Sequence, residues 1–550
     1  MYSLLMAFSL IVTMTSVVQQ VTSDVFTSVT LIKDMVLKER EIVDRIQEST
    51  QRLVSNGYSQ LTRFYHKRLA TINSRNFSRE IERLNHPNGI YLIIKEFFED
   101  YIPLRKYLTD YESANIESIL SEVAGEQDME GARESLIRLQ EVYNLQPREM
   151  AKGNYLNYKG PELSASDVYL IGKTAFTIEK YPQAVQWLTT AVDLMSKDIA
   201  ITGPYVETPS FGMISTGNTA FLTDAQTYLG RSLLRVGDQE NARKLYMSLV
   251  TDDIENKNIQ TLGYELKSVG TVEIGQNQVI TKFYNLCQQQ SKTSEPTSMD
   301  SRLRCRFAYI LLPYYRFHEE ILSNTPYISM FYDVITSTDA ERIKKDSSAI
   351  GLTRGKISPG LLNETTSSFR TSHVTFLSDE KSEAAAFLSR RISYLTHLDA
   401  SKQAAEPHQV VNYGLGGHYA LHLDVFLEER AEMKARFENY GNRMATFLIY
   451  LTDVERGGST AFPGADLVVS PTKGNAVFWY SFTPDGEIDH LTEHAGCPVV
   501  IGEKWIINKW IWTYGNTFTR RCGLKPNASQ LDIEREMYSG YTGKHKKQRD

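Results

Sequence analysis

Residues 412–424 combine a histidine and a carboxylate at a spacing that suits metal binding. The stretch is typical of an extended segment because apolar and aromatic residues alternate with others. Its glycine-rich run 414–417 allows the backbone to turn or to approach a ligand closely. On a strand, His422 and Asp424 occupy positions i and i+2, so both side chains project from one face. An imidazole beside a carboxylate provides two ligands of a metal site.

The third ligand is expected from a distant histidine on another strand of the same barrel, and His494 is the candidate. Two histidines and one carboxylate form the facial arrangement of non-haem Fe(II) oxygenases, which leaves three coordination positions open. Lys504 follows on the next apolar run and provides a positive charge for the far carboxylate of a chelating 2-oxo acid. An isolated HxD pair is usually a surface pair, but its combination with the later histidine and lysine favours a metal centre.

Three further motifs, at residues 442–451, 457–463 and 474–480, resemble the catalytic domain of the collagen prolyl 4-hydroxylase α subunit. With the run 494–505, the resemblance covers most of residues 405–525, and the layout before this region is similar too. It implies a dioxygenase on a double-stranded β-helix (jelly roll), with Fe(2+) and L-ascorbate as cofactors and 2-oxoglutarate and O2 as co-substrates. The substrate implied by the resemblance is peptidyl proline in procollagen-like sequences.

At 550 residues the chain is too long for a single core, so a multidomain α + β fold is predicted. The expected divisions are a signal peptide at 1–23, an N-terminal helical or dimerisation region at 24–150, a tetratricopeptide-like peptide-binding domain at 151–260, a helical linker region at 261–345, the dioxygenase domain at 346–525 and a polar tail at 526–550. The net charge of −6 gives no reason to expect a nucleic-acid partner.

Residues 4–18 form an apolar run before the small residues 21–23, a pattern typical of a secretory signal peptide cleaved before Asp24. The positive charge usual at the start of such a peptide is missing. A membrane anchor is the alternative, but it needs roughly twenty apolar residues and this run is shorter. Secretory entry and the resemblance together predict residence in the endoplasmic reticulum lumen, with protein disulfide isomerase as the β subunit.

In the N-terminal region, Met35, Ile42, Ile46 and Leu53 fall seven, four and seven residues apart among charged residues, which forms a heptad-like seam. This seam suits either a helix packed on its own domain or an interface between two chains. The resemblance favours self-association, because the α subunits of that family pair through their N-terminal segments.

Residues 161–255 carry two degenerate helical repeats of the tetratricopeptide kind. Small and large packing positions recur at Gly172, Ala175, Ala184, Leu188 and Ala191, and again at Gly230, Leu233, Ala242, Tyr246 and Leu249. Tyr169, Phe176, Tyr181 and Tyr228 are candidates to line a groove for a proline-rich extended peptide, although each ring also suits the helical core. The resemblance places the peptide-substrate-binding domain here. Arg231 stands where that family commonly has a second aromatic residue.

The four cysteines fall in two neighbouring pairs along the chain. Cys287 and Cys305 flank a polar linker, and Cys497 and Cys522 bracket the last strands. Their placement resembles the two intrachain disulfides of the family and is consistent with an oxidising lumen. Four reduced thiols are the alternative. Sequons for N-glycosylation, relevant if the chain is secreted, occur at Asn76, Asn363 and Asn527.

Three functions therefore stay open. The first is a prolyl 4-hydroxylase catalytic α subunit that acts on procollagen-like sequences. The second is a related hydroxylase for non-collagen proline-rich secreted proteins, which Arg231 and Leu234 favour, because Leu234 stands where the family usually has another tyrosine. The third is a non-catalytic peptide-binding subunit, which the complete set His422, Asp424, His494 and Lys504 disfavours.

Overall fold

The structure is a computed structural model, which describes residues 25–55, 59–108, 118–202, 218–252, 255–268, 278–289, 305–308, 316–355, 369–426 and 438–520, and the single positions 523, 529, 530 and 533. The expected signal peptide lies outside the described residues, as does most of the expected polar tail. Within the described part of the chain, no helix is long and apolar enough to cross a membrane.

The first half of the described chain is helical. In order, the α-helices with described bounds are α1 (Val29–Ser55), α2 (Ser59–Ser74), α3 (Phe77–Leu84), α4 (Pro87–Leu108), α5 (Glu126–Tyr143), α6 (Pro147–Ala151), α7 (Ala165–Thr177), α8 (Tyr181–Thr202), α9 (Asn218–Arg235), α10 (Gln239–Asp252), α11 (Lys257–Ser268), α12 (Gln278–Gln289), α13 (Ser337–Ile350) and α14 (Glu383–Thr396). Helices α1 to α8 and α12 contribute to one hydrophobic core.

The heptad-like seam of α1 packs inside this core. Met35, Ile42 and Ile46 are only 3%, 2% and 0% exposed within the single chain. The seam therefore packs on its own domain, which was one of the two alternatives for this pattern. The side chain of Leu53 lies outside the described residues.

Residues 165–268 form helical pairs, α7 with α8 and α9 with α10, followed by α11. A small residue is needed at Gly172, because a Cβ there would lie 2.8 Å from Cγ of Leu188 on the facing helix. Gly230 has the same role toward α11, since its Cβ would lie 2.7 Å from a methyl carbon of Leu262. The small-residue spacing in the sequence thus corresponds to close helix–helix contacts.

The second half of the chain is dominated by antiparallel strands. They are β3 (Cys305–Ala308), β4 (Phe317–Asn324), β5 (Tyr327–Tyr332), β6 (Thr353–Arg354), β7 (His373–Leu377), β8 (His408–Tyr413), β9 (Tyr419–His422), β10 (Arg443–Tyr450), β11 (Arg456–Gly457), β12 (Thr460–Phe462), β13 (Leu467–Val469), β14 (Ala476–Tyr480), β15 (His494–Gly496), β16 (Val499–Ile501) and β17 (Lys504–Trp512); a short hairpin of β1 (Asn154–Tyr155) and β2 (Tyr158–Lys159) precedes them.

Two sheets enclose the interior of this domain. The major sheet has the order β3-β4-β5-β14-β10-β17-β8-β7-β6, and the minor sheet has the order β13-β12-β15-β9. Residues of both sheets meet in one core cluster, in which Tyr450 and Trp479 of the major sheet accompany Phe462 of the minor sheet. Helices α13 and α14 cover the other face of the major sheet through a second cluster. This arrangement is consistent with the predicted jelly roll.

The region 261–345 differs from the expected helical linker. Its second half forms β3, β4 and β5, which extend the major sheet next to β14. In β4 the first buried positions alternate, with Phe317 and Ile321 facing the core, which is the period of a strand rather than a helix. The sheet domain therefore begins before residue 346.

The cysteine pairing also differs from the one that the resemblance implied. Cys287 on α12 is bonded to Cys497, directly after β15, with a Cα–Cα distance of 5.7 Å. A sulfur atom forms one disulfide, so Cys287 does not pair with Cys305 and Cys497 does not pair with Cys522. The reason is the packing of α12 against β12 and β13 of the minor sheet, beside the end of β15. Cys522 lies outside the described residues.

Candidate metal centre

The three predicted metal ligands lie together on the minor sheet. His422 ends β9, His494 begins β15, and the two residues are register partners in the antiparallel β9–β15 pair. Asp424 lies in the bend just after β9 rather than on the strand. Its carboxylate oxygens are each 3.6 Å from Nε2 of a histidine, Oδ1 from His422 and Oδ2 from His494. One ligand atom from each side chain lies within 4.8 Å of the others.

Backbone carbonyls orient both imidazoles toward the cluster. Nδ1 of His422 lies 2.8 Å from the Ala420 carbonyl, and Nδ1 of His494 lies 3.0 Å from the Thr492 carbonyl. Because a carbonyl oxygen only accepts, both Nδ1 atoms donate, and each Nε2 keeps a lone pair for a metal. This donor set fits Fe(II).

Burial and mutual proximity set the charges of the ligands. Burial, followed by the nearby His494, lowers the pKa of His422 to about 3, so its imidazole is neutral at physiological pH. Burial opposes the ionisation of Asp424, but His494, His422 and Arg443 outweigh it and lower the pKa of Asp424 to about 2. Thr446 Oγ1 also donates to Asp424 Oδ2 at 2.9 Å. The cluster therefore provides a neutral nitrogen donor from His422 and an anionic oxygen donor from Asp424.

Lys504 lies beside this cluster. It begins β17 opposite Tyr413 of β8, and its ammonium is 4.9 Å from the Tyr413 ring centroid. A Cβ on Gly496 of the ligand strand β15 would be 3.9 Å from the Lys504 nitrogen. The side chain is 2% exposed, and burial lowers its pKa to about 7. Among the described residues, no carboxylate forms an ion pair with it, so a bound anion would find an uncompensated positive charge here.

Two regions of the chain match known families. Residues 28–157 match the "Prolyl 4-Hydroxylase alpha-subunit, N-terminal region", and residues 408–512 match the "2OG-Fe(II) oxygenase superfamily". Human prolyl 4-hydroxylase subunit alpha-3 is 30% identical over 540 residues, covering 92% of this chain and 94% of the relative. The chain belongs to the prolyl 4-hydroxylase alpha-subunit family. Subunit alpha-2 of Gallus gallus is 29% identical, covering 91% of this chain and 95% of the relative.

Membership of this family confirms the resemblance on which Fe(II) and 2-oxoglutarate were expected. Subunit alpha-1 of Gallus gallus, 28% identical, covers 91% of this chain and 99% of the relative. The alpha-subunit likeness thus extends across the helical half of the chain as well as the sheet domain.

Aromatic and basic side chains surround the metal cluster of this family member. The Tyr419 ring stacks on His422 with centroids 3.7 Å apart, and the Arg370 guanidinium lies 4.6 Å from the Tyr419 ring. Arg443 lies 3.6 Å from the Trp510 ring, and Glu406 accepts a hydrogen bond of 2.6 Å from it. Sequence reasoning did not identify either arginine as part of the site. A single arginine, whether it begins a strand like Arg443 or precedes one like Arg370, carries no spacing signal of its own.

The four predicted groove aromatics divide into two environments. Tyr169 is buried at 2% exposure, as the core alternative expected. Phe176, Tyr181 and Tyr228 are only partly buried, and the Phe176 ring lies 5.6 Å from Tyr181 and 5.4 Å from Tyr228. We call these three residues the ring cluster; it lies where α7, α8 and α9 meet.

Arg231 covers the ring cluster. Its guanidinium carbon lies 4.7 Å from the Phe176 centroid and 5.6 Å from the Tyr228 centroid. Glu265 of α11 pairs with it at 2.8 Å and accepts two further hydrogen bonds from its Nε. The positive charge of Arg231 is therefore already compensated within the chain.

Proposed function

We propose that this chain is the catalytic α subunit of a prolyl 4-hydroxylase, which hydroxylates peptidyl proline in procollagen-like sequences with O2 and 2-oxoglutarate. The observation that carries the proposal is the convergence of His422, Asp424 and His494 beside the buried ammonium of Lys504, which has no ion-pair partner among the described residues. This set suits a metal and a dicarboxylate at the same time.

In this proposal, His422, Asp424 and His494 hold Fe(II), which when bound supplies the oxygen-dependent redox chemistry. Lys504 binds the distal carboxylate of 2-oxoglutarate. The metal side of the site is shielded by aromatic rings, since Trp479 and Phe462 lie 4.7 Å and 5.5 Å from the His494 ring. These rings exclude water from this side of the His494 ligand.

The helical region 151–260 is proposed to be a tetratricopeptide-like peptide-binding domain. The ring cluster offers aromatic edges and faces at a surface, which suit the preordered polyproline II shape of proline-rich peptides. A long substrate that binds both this domain and the catalytic site should have a higher affinity than a short substrate, which binds only one of them.

A second candidate substrate class is non-collagen proline-rich protein. The observation that favours it is Arg231, whose guanidinium covers the ring face of Phe176 at 4.7 Å. The Glu265 pair limits this alternative, because a compensated arginine attracts an acidic peptide weakly. A non-catalytic peptide-binding subunit is disfavoured by the intact ligand set.

The remaining parts of the proposal concern the cellular context. We place the subunit in the endoplasmic reticulum lumen, with protein disulfide isomerase as the β subunit and L-ascorbate as the reductant that keeps iron in the ferrous state. Self-association of α subunits belongs to the same proposal. Because the α1 seam packs within its own domain, such an interface would use another surface or require α1 to repack.

The test is succinate formation against a panel of proline-rich peptides, with and without the isomerase. We expect the formation of succinate to require Fe(II) and to increase with procollagen-like peptides. A chain that forms no succinate with any peptide, although it is folded and bound to the isomerase, would favour the non-catalytic alternative.

A further inference from the structure

The first described residues of the chain, 25–30, form a short and largely buried segment that lies against the sheet domain and includes the first two residues of α1. Val25, Phe26, Thr27 and Ser28 are 8%, 7%, 0% and 0% exposed. A turn closes between Ser28 N and the Val25 carbonyl at 3.1 Å, immediately before α1 begins. We call residues 25–30 the N-terminal strap.

Polar side chains of the N-terminal strap bind two strands of the major sheet and the residue before a third. Thr27 Oγ1 lies 2.5 Å from Nδ1 of His373 on β7, and Ser28 donates to the Asn412 amide oxygen on β8. Thr30 donates at 2.9 Å to Oε1 of Glu503, the residue before β17. These contacts bridge more than 340 positions of sequence, since His373 and Thr27 are 346 residues apart.

Asn412 and Glu503 connect these contacts to the proposed co-substrate site. Asn412 Nδ2 donates at 3.1 Å to Glu503 Oε1, and the Trp505 indole donates at 2.8 Å to the same oxygen. Asn412 is the neighbour of Tyr413, and Glu503 is the neighbour of Lys504. Because successive strand residues point to opposite faces, the network holds one face of β8 and β17 while Tyr413 and Lys504 point to the other.

The glycine-rich run 414–417 accommodates the same strap. Leu415 N donates to the Phe26 carbonyl at 3.2 Å, and a Cβ on Gly414 would overlap the backbone of Phe26 and Thr27. On its other side the strap is tied to α5, because Asp128 accepts a hydrogen bond of 3.1 Å from Phe26 N. A glycine is therefore needed at position 414 because the chain's own N-terminal segment, rather than a bound ligand, occupies the space of a Cβ atom.

We infer that the N-terminal strap is a positioning element for the 2-oxoglutarate site, which acts by fixing the ends of β8 and β17 that carry Tyr413 and Lys504. The inference rests on the proposed role of Lys504 in binding 2-oxoglutarate. The strap residues act through Asn412 and Glu503 and have no contact with the co-substrate themselves. They also link the helical region to the sheet domain, so that the site is complete only when both regions are docked.

The test compares Ser28→Ala with Ser28→Thr in the full chain, produced together with its isomerase partner. Ser28→Ala removes the buried hydrogen bond to Asn412 and the longer one, 3.3 Å, that Ser28 accepts from Leu31 N in the first turn of α1, whereas Ser28→Thr keeps the hydroxyl group. We expect Ser28→Ala to weaken anaerobic 2-oxoglutarate binding by about threefold to tenfold, with kcat at saturating 2-oxoglutarate nearly unchanged. Ser28→Thr should restore most of the affinity. Hydrogen exchange should increase at residues 411–414 and 504–506 in the alanine variant.

The matched control is Thr177→Val, because the Thr177 hydroxyl donates to the Lys173 carbonyl on the exposed surface of α7, away from the strap. It should leave 2-oxoglutarate binding and hydrogen exchange near β8 unchanged. Wild-type affinity in Ser28→Ala, together with weakened binding in Lys504→Ala, would overturn the role of the strap and leave the proposed function intact. Wild-type affinity in Lys504→Ala would instead remove Lys504 from the co-substrate site, and the inference would fail with it.

Discussion

The charge of Lys504 is predicted to control the binding of 2-oxoglutarate, and the prediction is strongest for Lys504→Met. The ammonium is 2% exposed and, within the described residues, unpaired, so a carboxylate of the co-substrate would be its counter-charge. A charge-assisted hydrogen bond contributes roughly 1.5–3 kcal/mol, which corresponds to about one to two powers of ten in affinity. Methionine keeps the length of the side chain and removes the charge, so the loss should be in affinity rather than in folding.

The titration of Lys504 should make the affinity for 2-oxoglutarate depend on pH. Burial lowers the pKa of Lys504 to about 7 in the free protein, and the bound carboxylate favours the protonated form. Binding above that pKa therefore takes up a proton. Affinity for 2-oxoglutarate should be constant below the pKa and fall by about tenfold for each pH unit above it, until the higher pKa of the complex is reached.

Anaerobic calorimetric titration of 2-oxoglutarate between pH 6 and pH 9 measures both effects. Lys504→Arg is the matched control, because its guanidinium stays charged across this range and any binding that it retains should not depend on pH. If Lys504→Met kept the same slope above pH 7 as the wild type, the titrating group would lie elsewhere. If Lys504→Met bound 2-oxoglutarate at pH 7 as tightly as the wild type, another cation would bind the distal carboxylate of 2-oxoglutarate.

Three other predictions concern the ligand set, the disulfide and the ring cluster. Asp424→Asn removes the anionic donor and should abolish both tight iron binding, measured by metal content after dialysis, and turnover; retained iron-dependent turnover would remove Asp424 from the site. Peptide mapping without reductant should recover a Cys287–Cys497 linkage, and a Cys287–Cys305 peptide in its place would contradict the structure. Glu265→Gln frees the charge of Arg231 and should strengthen the binding of acidic proline-rich peptides several-fold at low salt but not at high salt; equal binding by both proteins would show that Arg231 does not face the peptide.

The metal centre is the part of the site that sequence could predict best. Few chemistries use two histidines, a nearby carboxylate and a later lysine, so their order along the chain was informative without a structure. The strand assignment was less accurate at Asp424, which lies in a bend after β9. The carboxylate still reaches the cluster because a residue directly after a strand end stays close to that end.

Contacts between distant segments were the part that sequence could not predict. The pairing of Arg231 with Glu265 could not be predicted, because the two residues are 34 positions apart on different helices. The glycine-rich run 414–417 suggested a ligand contact, and the pattern contains no sign that residues 25–30 occupy that space. The strands β3 to β5 follow a polar stretch of sequence. Their place at the edge of the major sheet is set by the pairing of β5 with β14, which is distant in sequence.

The central claim is tested most directly by mass spectrometry of a procollagen-like peptide incubated with the α subunit and its isomerase partner. With Fe(II), 2-oxoglutarate, O2 and ascorbate, we expect one oxygen atom to be added at C4 of proline, with one succinate formed for each hydroxylated residue. His494→Ala should abolish both products while leaving the far-ultraviolet circular dichroism spectrum unchanged. Hydroxylation that persists in His494→Ala, or succinate that forms in the wild type without any modified proline in the panel, would contradict the proposal.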